Sequence, residues 1–525
     1  MDLSAPHPTD DAVGFPRETP QWGQILALHG RWRGAAPALV VADEAAVSWR
    51  DLDAATNRVA NGLRALDIAP GERVGVVMEN GRAMLEVLFG AMKAGVCTVP
   101  INLTVTDEAI ATMLADAGVR AVFASASQTD RLAALPPDLV AKIRDGGAAA
   151  GWKDYADWLA AQDSREAWVD VPGETPCNII YSSGTTGVPK GILHSFQGRL
   201  DWAYDIALGY GYCVGARTLC TIGLYSNIMW ALILGTVLAG GTLFVHRRFD
   251  AARALADIVR HRISHIAMVP VQWQRLADAG ASRETLASIR SAITVGSPMH
   301  VDLKRHLLAC MPDAFSELYG LTEGILTVMP PHEMAEHIES VGRPTPGCDI
   351  LILDDDDRPC PPGVAGEIVS RARYVMPGYW NRPDATAACQ WRDPDGCLWL
   401  RTGDIGRVDA DGYLTIVDRK KDMILSGGQN IYPADLEAVL LGHPGVADGA
   451  VIGVPDAQWG EVPLALVIRR PNETADAAAI REWTNARLGK RQRIRHLILV
   501  DDLPRNPNGK ILKRELRKRF GETFS

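Results

Sequence analysis

Apolar positions along this chain follow two rhythms that alternate. Leu52–Leu66 repeats apolar residues at helical spacing, Arg73–Met78 is a short apolar run, Met84–Ala94 returns to the helical period, and Ala121–Ala124 is strand-like again. Strand and helix taking turns predicts parallel β-sheets covered by helices. Residues 136–152, rich in Pro, Gly and Ala, read as a long surface loop.

Beyond residue 340 the texture changes. Short runs (Ile350–Leu353, Glu367–Ser370, Tyr413–Val417) are separated by turn clusters such as D-D-D-D-R-P and D-A-D-G-Y, which predicts a small β-rich unit. The four aspartates read as a solvated hairpin turn. A charged break, D-R-K-K-D at 418–422, precedes a last section with its own pattern: helices over Ala434–Leu441 and Ala477–Leu488, strands over Val446–Val454 and Leu464–Arg469. The predicted fold class is α/β. A large N-terminal domain (1–418) combines helix-covered β-sheets with a β-rich subdomain, a hinge follows at 419–421, and a small α+β C-terminal domain covers 422–525.

From Thr218 to Val245 no residue is charged, long enough to raise the question of a membrane span. Ser226, Asn227, Thr236 and Thr242 interrupt the stretch, and Gly240-Gly241 breaks it. A buried helix over Ile228–Leu238, a glycine turn and a strand over Thr242–Val245 fit better.

Composition narrows the class. The chain has 525 residues, enough for three or four compact units, with 47% hydrophobic and 22% charged residues and no low-complexity tract. Lys plus Arg number 54 against 63 Asp plus Glu, a net charge of −9 that argues against nucleic acid or an anionic membrane as the main partner. Nine cysteines form no C-x-x-C pair and no ligand-like spacing to histidine, which suits reduced thiols in the cytoplasm. The acidic N-terminus carries no secretory pattern.

The strongest chemical signal is Y-S-S-G-T-T-G-V-P-K-G at 181–191, after the apolar strand Asn178–Tyr181. It packs three glycines, four Ser/Thr hydroxyls and one lysine into eleven residues. Glycines let backbone N–H groups face an anion, hydroxyls add donors, and Lys190 adds a point charge. That is a polyphosphate cradle, and its spacing is not that of a Walker loop.

Further pieces follow in order: Y-G-L-T-E-G at 319–324, G-E-I-V-S-R-A-R-Y-V-M-P-G-Y-W-N at 366–381, T-G-D at 402–404, D-R-K-K-D-M-I-L-S-G-G-Q-N-I-Y-P-A-D-L-E at 418–437, and N-P-N-G-K-I-L-K-R-E-L at 506–516. Together they resemble the adenylate-forming (AMP-binding) superfamily, and within it the free-standing acyl-CoA synthetases. The resemblance implies attack of a carboxylate on the α-phosphorus of ATP, giving an acyl-adenylate and pyrophosphate, then thioester formation with CoA.

The resemblance also implies roles. Ser182, Ser183, Gly184, Thr185, Thr186, Gly187 and Lys190 would hold the β- and γ-phosphates, and Glu323 with Thr185 would bind Mg2+. Thr322 would contact the α-phosphate. The segment Glu317, Leu318, Tyr319 would flank the adenine, with Gly296 and Ser297 on its other face. Asp404 would accept the ribose hydroxyls, a bidentate acceptor for a vicinal diol, and Arg419 would support it. Lys510 is the catalytic candidate, bridging carboxylate and α-phosphate. Lys421 matches the hinge, about which the small domain would rotate to offer Gly427-Gly428 to the thiol arm of CoA.

Thr218–Val245 contains no Asp or Glu to pair an ammonium group, which disfavours a free amino acid. Gly320 stands where acetate-type members carry a tryptophan, so a longer or wider acid should fit. Many relatives show P-x-x-H where this chain has G-L-Y-S. Tyr225, Ser226, Met229, Trp230, Gly296 and Gly320 are the acyl-pocket candidates, and the expected substrate is an apolar or aromatic monocarboxylic acid of medium size. The chain ends E-T-F-S, with no carrier domain and no S-K-L. Transfer to a separate carrier protein, or a non-catalytic nucleotide sensor, are the other readings. The oligomeric state is open, a homodimer included.

Overall fold

The computed structural model describes residues 21–42, 44–182, 189–426, 429–456, 458–471, 473–489, 492–505 and 510–521. Ser183, Gly184, Thr185, Thr186, Gly187, Gly427 and Gly428 lie outside them.

Among the described residues two large sheets dominate. One has eight strands, ordered Gly378–Tyr379, Gly191–Ser195, Pro176–Tyr181, Cys97–Pro100, Arg73–Val77, Ala121–Ser125, Ala141–Asp145 and Lys153–Asp154. The other has seven, with Phe315–Leu318 at one edge, beside Ser291–Val295, and Arg217–Cys220 beside Thr242–Val245 further in. The central pairs are parallel, as βαβ crossovers require. Helices Trp49–Ala65, Arg82–Lys93, Phe196–Tyr210 and Asn227–Ala239 share one apolar core with Val74 and Val76 of the first sheet and Leu243 and Val245 of the second.

The uncharged stretch is explained by that burial. Helix Asn227–Ala239 is buried without a break from Met229 to Val237, so no face of it can carry a charge. It stops at Gly240, whose φ of +66° is the left-handed cap that glycine supplies at least cost. No helix among the described residues is long and apolar enough to cross a membrane.

The presumed loop 136–152 contains the strand Ala141–Asp145, which pairs in parallel with Ala121–Ser125. Ala141 and Ile143 point inward and are buried, and the Gly/Ala-rich flanks had masked that alternation. The four-aspartate run is a turn, in which the Asp354 N–H donates to the Arg358 carbonyl at 2.9 Å.

The β-rich unit is an antiparallel sheet built on Cys348–Leu353, Gly366–Ala372 and Leu398–Val408, with Leu414–Arg419 alongside. Asp418 and Arg419 of the charged break therefore still belong to a strand, and the chain turns only after them. The C-terminal unit carries Ile424–Ser426, Val446–Asp456, Gly460–Arg469 and His496–Leu499 in one sheet, with helices Pro433–Leu441, Ala477–Asn485 and Lys513–Phe520. The helix expected to reach residue 488 ends three residues earlier, with Ala486 as its cap.

Candidate active site

Asp404 and Arg419 face one another on paired antiparallel strands, and the Arg419 Nε approaches the Asp404 Oδ1 to 2.6 Å. The other carboxylate oxygen accepts a 2.7 Å hydrogen bond from the Tyr319 hydroxyl. Asp404 is only 2% exposed, and these two donors offset the cost of burying its charge. Each carboxylate oxygen has a second lone pair, so acceptor capacity is left over. Burial, reinforced by Asp404, holds the Tyr319 hydroxyl well above the usual phenol range, so it stays a donor.

Lys510 reaches this pair from the C-terminal unit. Its ammonium is half-buried within electrostatic reach of Arg419, Asp404, Lys421 and Asp422. Burial, helped by the positive charge of Arg419, pulls it from the ordinary 10.5 down to about 8. The two units are also tied by the Ala434 N–H, which donates to Asp418 at 2.9 Å. Lys421 itself is exposed.

Glu323 lies in the turn after the strand Gly320–Leu321, with its Oε1 accepting from the Tyr379 hydroxyl at 2.9 Å. The Lys190 Nζ sits over the Tyr379 ring, 4.9 Å from its centre. The described end of the phosphate-loop strand, Glu323 and Tyr379 thus form one cluster. Tyr379 carried no role in the sequence reading, although P-G-Y-W-N was among the quoted pieces. A single carboxylate of this kind suits Mg2+, which takes one or two protein carboxylates and fills its remaining positions with phosphate and water.

The edge strand Phe315–Leu318 leads to Tyr319, and its buried Glu317 side chain forms an ion pair with buried Lys304. Gly296 ends the neighbouring strand with φ +95°, followed by half-buried Ser297. Gly320 has a backbone reason to be bare, because a Cβ there would come within 2.7 Å of the Ile325 carbonyl oxygen.

Around the expected acyl pocket, Ser226 is buried at the cap of helix Asn227–Ala239, and burial pushes the Tyr225 hydroxyl up to about 12. Met229 and Trp230 belong to the shared core, exposed by only 0% and 1%. Trp230 packs against the guanidinium of Arg199, a residue the sequence reading passed over.

The family model of AMP-binding enzymes matches residues 29–380, and that of the AMP-binding enzyme C-terminal domain matches residues 435–510. The chain is 35% identical over 483 residues to a feruloyl-CoA synthase of an Amycolatopsis species, covering 91% of this chain and 94% of that one. It is 33% identical to the fatty acid–[acyl-carrier-protein] ligase ScoC of Streptomyces coeruleorubidus, covering 95% and 96% of the two chains. The crystal structure of ATP-bound MatB from Rhodopseudomonas palustris superposes with a TM-score of 0.87 at 27% identity, over 96% of this chain and all of that one. The chain therefore belongs to the AMP-binding enzyme family, as an AMP-forming acid–thiol ligase that uses ATP, Mg2+ and CoA.

Proposed function

We propose that the chain activates an apolar or aromatic carboxylic acid of medium size in the cytoplasm and passes the acyl group to CoA. The observation that carries this reading is Lys510, brought by the C-terminal unit to the Asp404–Arg419 pair. A carboxylate and a triphosphate repel each other, and negative charge builds on the transferring group as they react. A desolvated ammonium between them lowers that barrier more than the same charge would in water.

Within this scheme Asp404 takes the ribose hydroxyls on its spare lone pairs, and Tyr319 flanks the adenine. Lys190 holds the distal phosphates and Thr322 the α-phosphate. Glu323 would hold Mg2+, which would supply positive charge against the phosphates. After adenylation the small domain turns about Lys421, removing Lys510 and presenting Gly427-Gly428 to the thiol. Similarity to a feruloyl-CoA synthase and to a fatty-acid ligase supports an acid with a sizeable apolar body. The carrier-protein ligase among the relatives favours a second reading, in which a carrier thiol replaces CoA.

The test is pyrophosphate release and hydroxylamine trapping over a panel of aryl, alicyclic and fatty acids, each with and without CoA. Acid-dependent pyrophosphate with a thioester formed only when CoA is present is the expected result. Acid-dependent pyrophosphate that never yields the CoA thioester refutes CoA as acceptor, and no release with any acid refutes the activity.

A further inference from the structure

Arg199 is 2% exposed, and among the described residues no carboxylate pairs with it. Helix Phe196–Tyr210, capped by the Ser195 hydroxyl accepting from Gly198 N–H at 3.1 Å, carries it in its first turn. Its Nε donates to the Asn178 Oδ1 at 2.9 Å and one Nη to the Asn227 Oδ1 at 2.8 Å. The rings of Trp202 and Trp230 lie 4.9 and 5.3 Å from the guanidinium carbon. The second Nη is buried with no hydrogen-bond partner among the described residues, and so are the Asn178 Nδ2 and the His194 Nε2. The phosphate-loop residues 183–188 contain no Asp or Glu that could serve as counter-ion.

A guanidinium held in this way is expensive. A buried charge normally has an opposite charge beside it, and neutral amide acceptors repay only part of its lost hydration. Burial pulls Arg199 down to about 9, which still leaves it charged at neutral pH. Arg199 helps to line a narrow cavity together with His194, Trp202, Asn227, Thr322 and Tyr374. That cavity lies between Thr322, assigned above to the α-phosphate, and Asn227 at the N-terminus of helix Asn227–Ala239. The positive end of the helix macrodipole adds to the attraction for an anion there.

We propose that Arg199 is an anion subsite in the wall of the acid pocket and receives a carboxylate of the acid substrate. The guanidinium fork matches a carboxylate in geometry, and binding supplies the counter-charge that the fold leaves out. The carboxylate has two sources, the reacting group itself or a second acid group at the far end of a dicarboxylic substrate. The inference rests on the adenylation reading given above.

The deciding variant is Asn227→Asp, which sets a fixed carboxylate where the Asn227 Oδ1 now accepts from Arg199. It neutralises the guanidinium from inside while keeping the residue's size, so folding is not at risk. Acid-dependent pyrophosphate release is measured for monocarboxylic and dicarboxylic acids of equal chain length, in the parent, Asn227→Asp, Asn227→Ala and Arg199→Met. The KM for the acid is expected to rise roughly tenfold or more in Asn227→Asp and Arg199→Met, the worth of a lost charge-assisted hydrogen bond, and clearly less in Asn227→Ala, which removes one acceptor but leaves the guanidinium charged. A rise for both acid classes assigns the site to the reacting carboxylate, and a rise confined to dicarboxylic acids assigns it to the second one. An unchanged KM for both classes in Asn227→Asp, or an equal rise in Asn227→Ala, overturns the proposal whether or not Arg199→Met folds. A parent inactive with every acid instead refutes adenylation itself, a separate outcome.

Discussion

Arg419 holds the carboxylate of Asp404 at 2.6 Å from the opposite strand of an antiparallel pair, and Tyr319 takes its second oxygen at 2.7 Å. The carboxylate is thereby fixed in orientation before any nucleotide arrives, with lone pairs left for a vicinal diol.

Asp404→Asn keeps the shape and removes the charge. It is expected to raise the KM for ATP by roughly ten- to a hundredfold, the range for a buried charge-assisted hydrogen bond. The acid's KM should stay near its parent value. Steady-state kinetics with each substrate varied in turn checks this, and an equal rise in both constants would speak for general damage.

Lys510 makes the rate depend on pH in a stated direction. Burial lowers its folded pKa to about 8, so the required ammonium is lost as pH rises through that value. The kcat/KM of adenylation should fall above pH 8, whereas Lys510→Arg, slower overall, should be flat there. Stability moves the other way. Between about 8 and the ordinary 10.5 the unfolded chain holds the proton and the folded chain does not, so stability rises with pH across that window. Below it, the buried charge is a constant cost.

Tyr379 donates to the carboxylate of Glu323 at 2.9 Å and lies beneath the ammonium of Lys190. Tyr379→Phe removes that donor and keeps the ring. The Mg2+ concentration giving half-maximal pyrophosphate release should rise roughly tenfold or more, as when an outer partner of a metal ligand is removed. Thermal stability should change little, and a fall in melting temperature with no shift in the Mg2+ curve would assign Tyr379 to packing.

Gly320→Ala tests why that position is bare. A methyl group would stand 2.7 Å from the Ile325 carbonyl oxygen, so the strands Gly320–Leu321 and Ile325–Val328 must separate. A loss of about 1–3 kcal/mol by denaturant titration is expected. Unchanged stability with a narrower range of accepted acids would point to a role in the pocket alone.

Much of this was legible in the chain itself. Helix Asn227–Ala239 and strand Thr242–Val245 follow from a charge-free run ended by two glycines, because burial on all sides leaves no polar face to detect. The ordered motifs located Asp404, Glu323 and Lys510 one by one. What stayed hidden was side-chain pairing across the fold. Tyr379 and Glu323 are 56 residues apart, and Arg199 and Asn227 are 28 apart. No period or composition marks such pairs, since they depend on how strand order folds the chain back. At Glu317, which the motif places beside Tyr319, the ion pair with Lys304 was likewise invisible in the chain.

The central claim is that Lys510 acts in adenylation and leaves before the thiol attacks. The most direct measurement compares two half-reactions of Lys510→Ala with the parent: pyrophosphate release from acid and ATP, and thioester formation from preformed acyl-adenylate and CoA. Adenylation is predicted to fall by roughly two to three orders of magnitude, as when a preorganised charge at the reacting centre is removed, with thioester formation within a few-fold of the parent. Equal losses in both half-reactions would contradict the role given to Lys510.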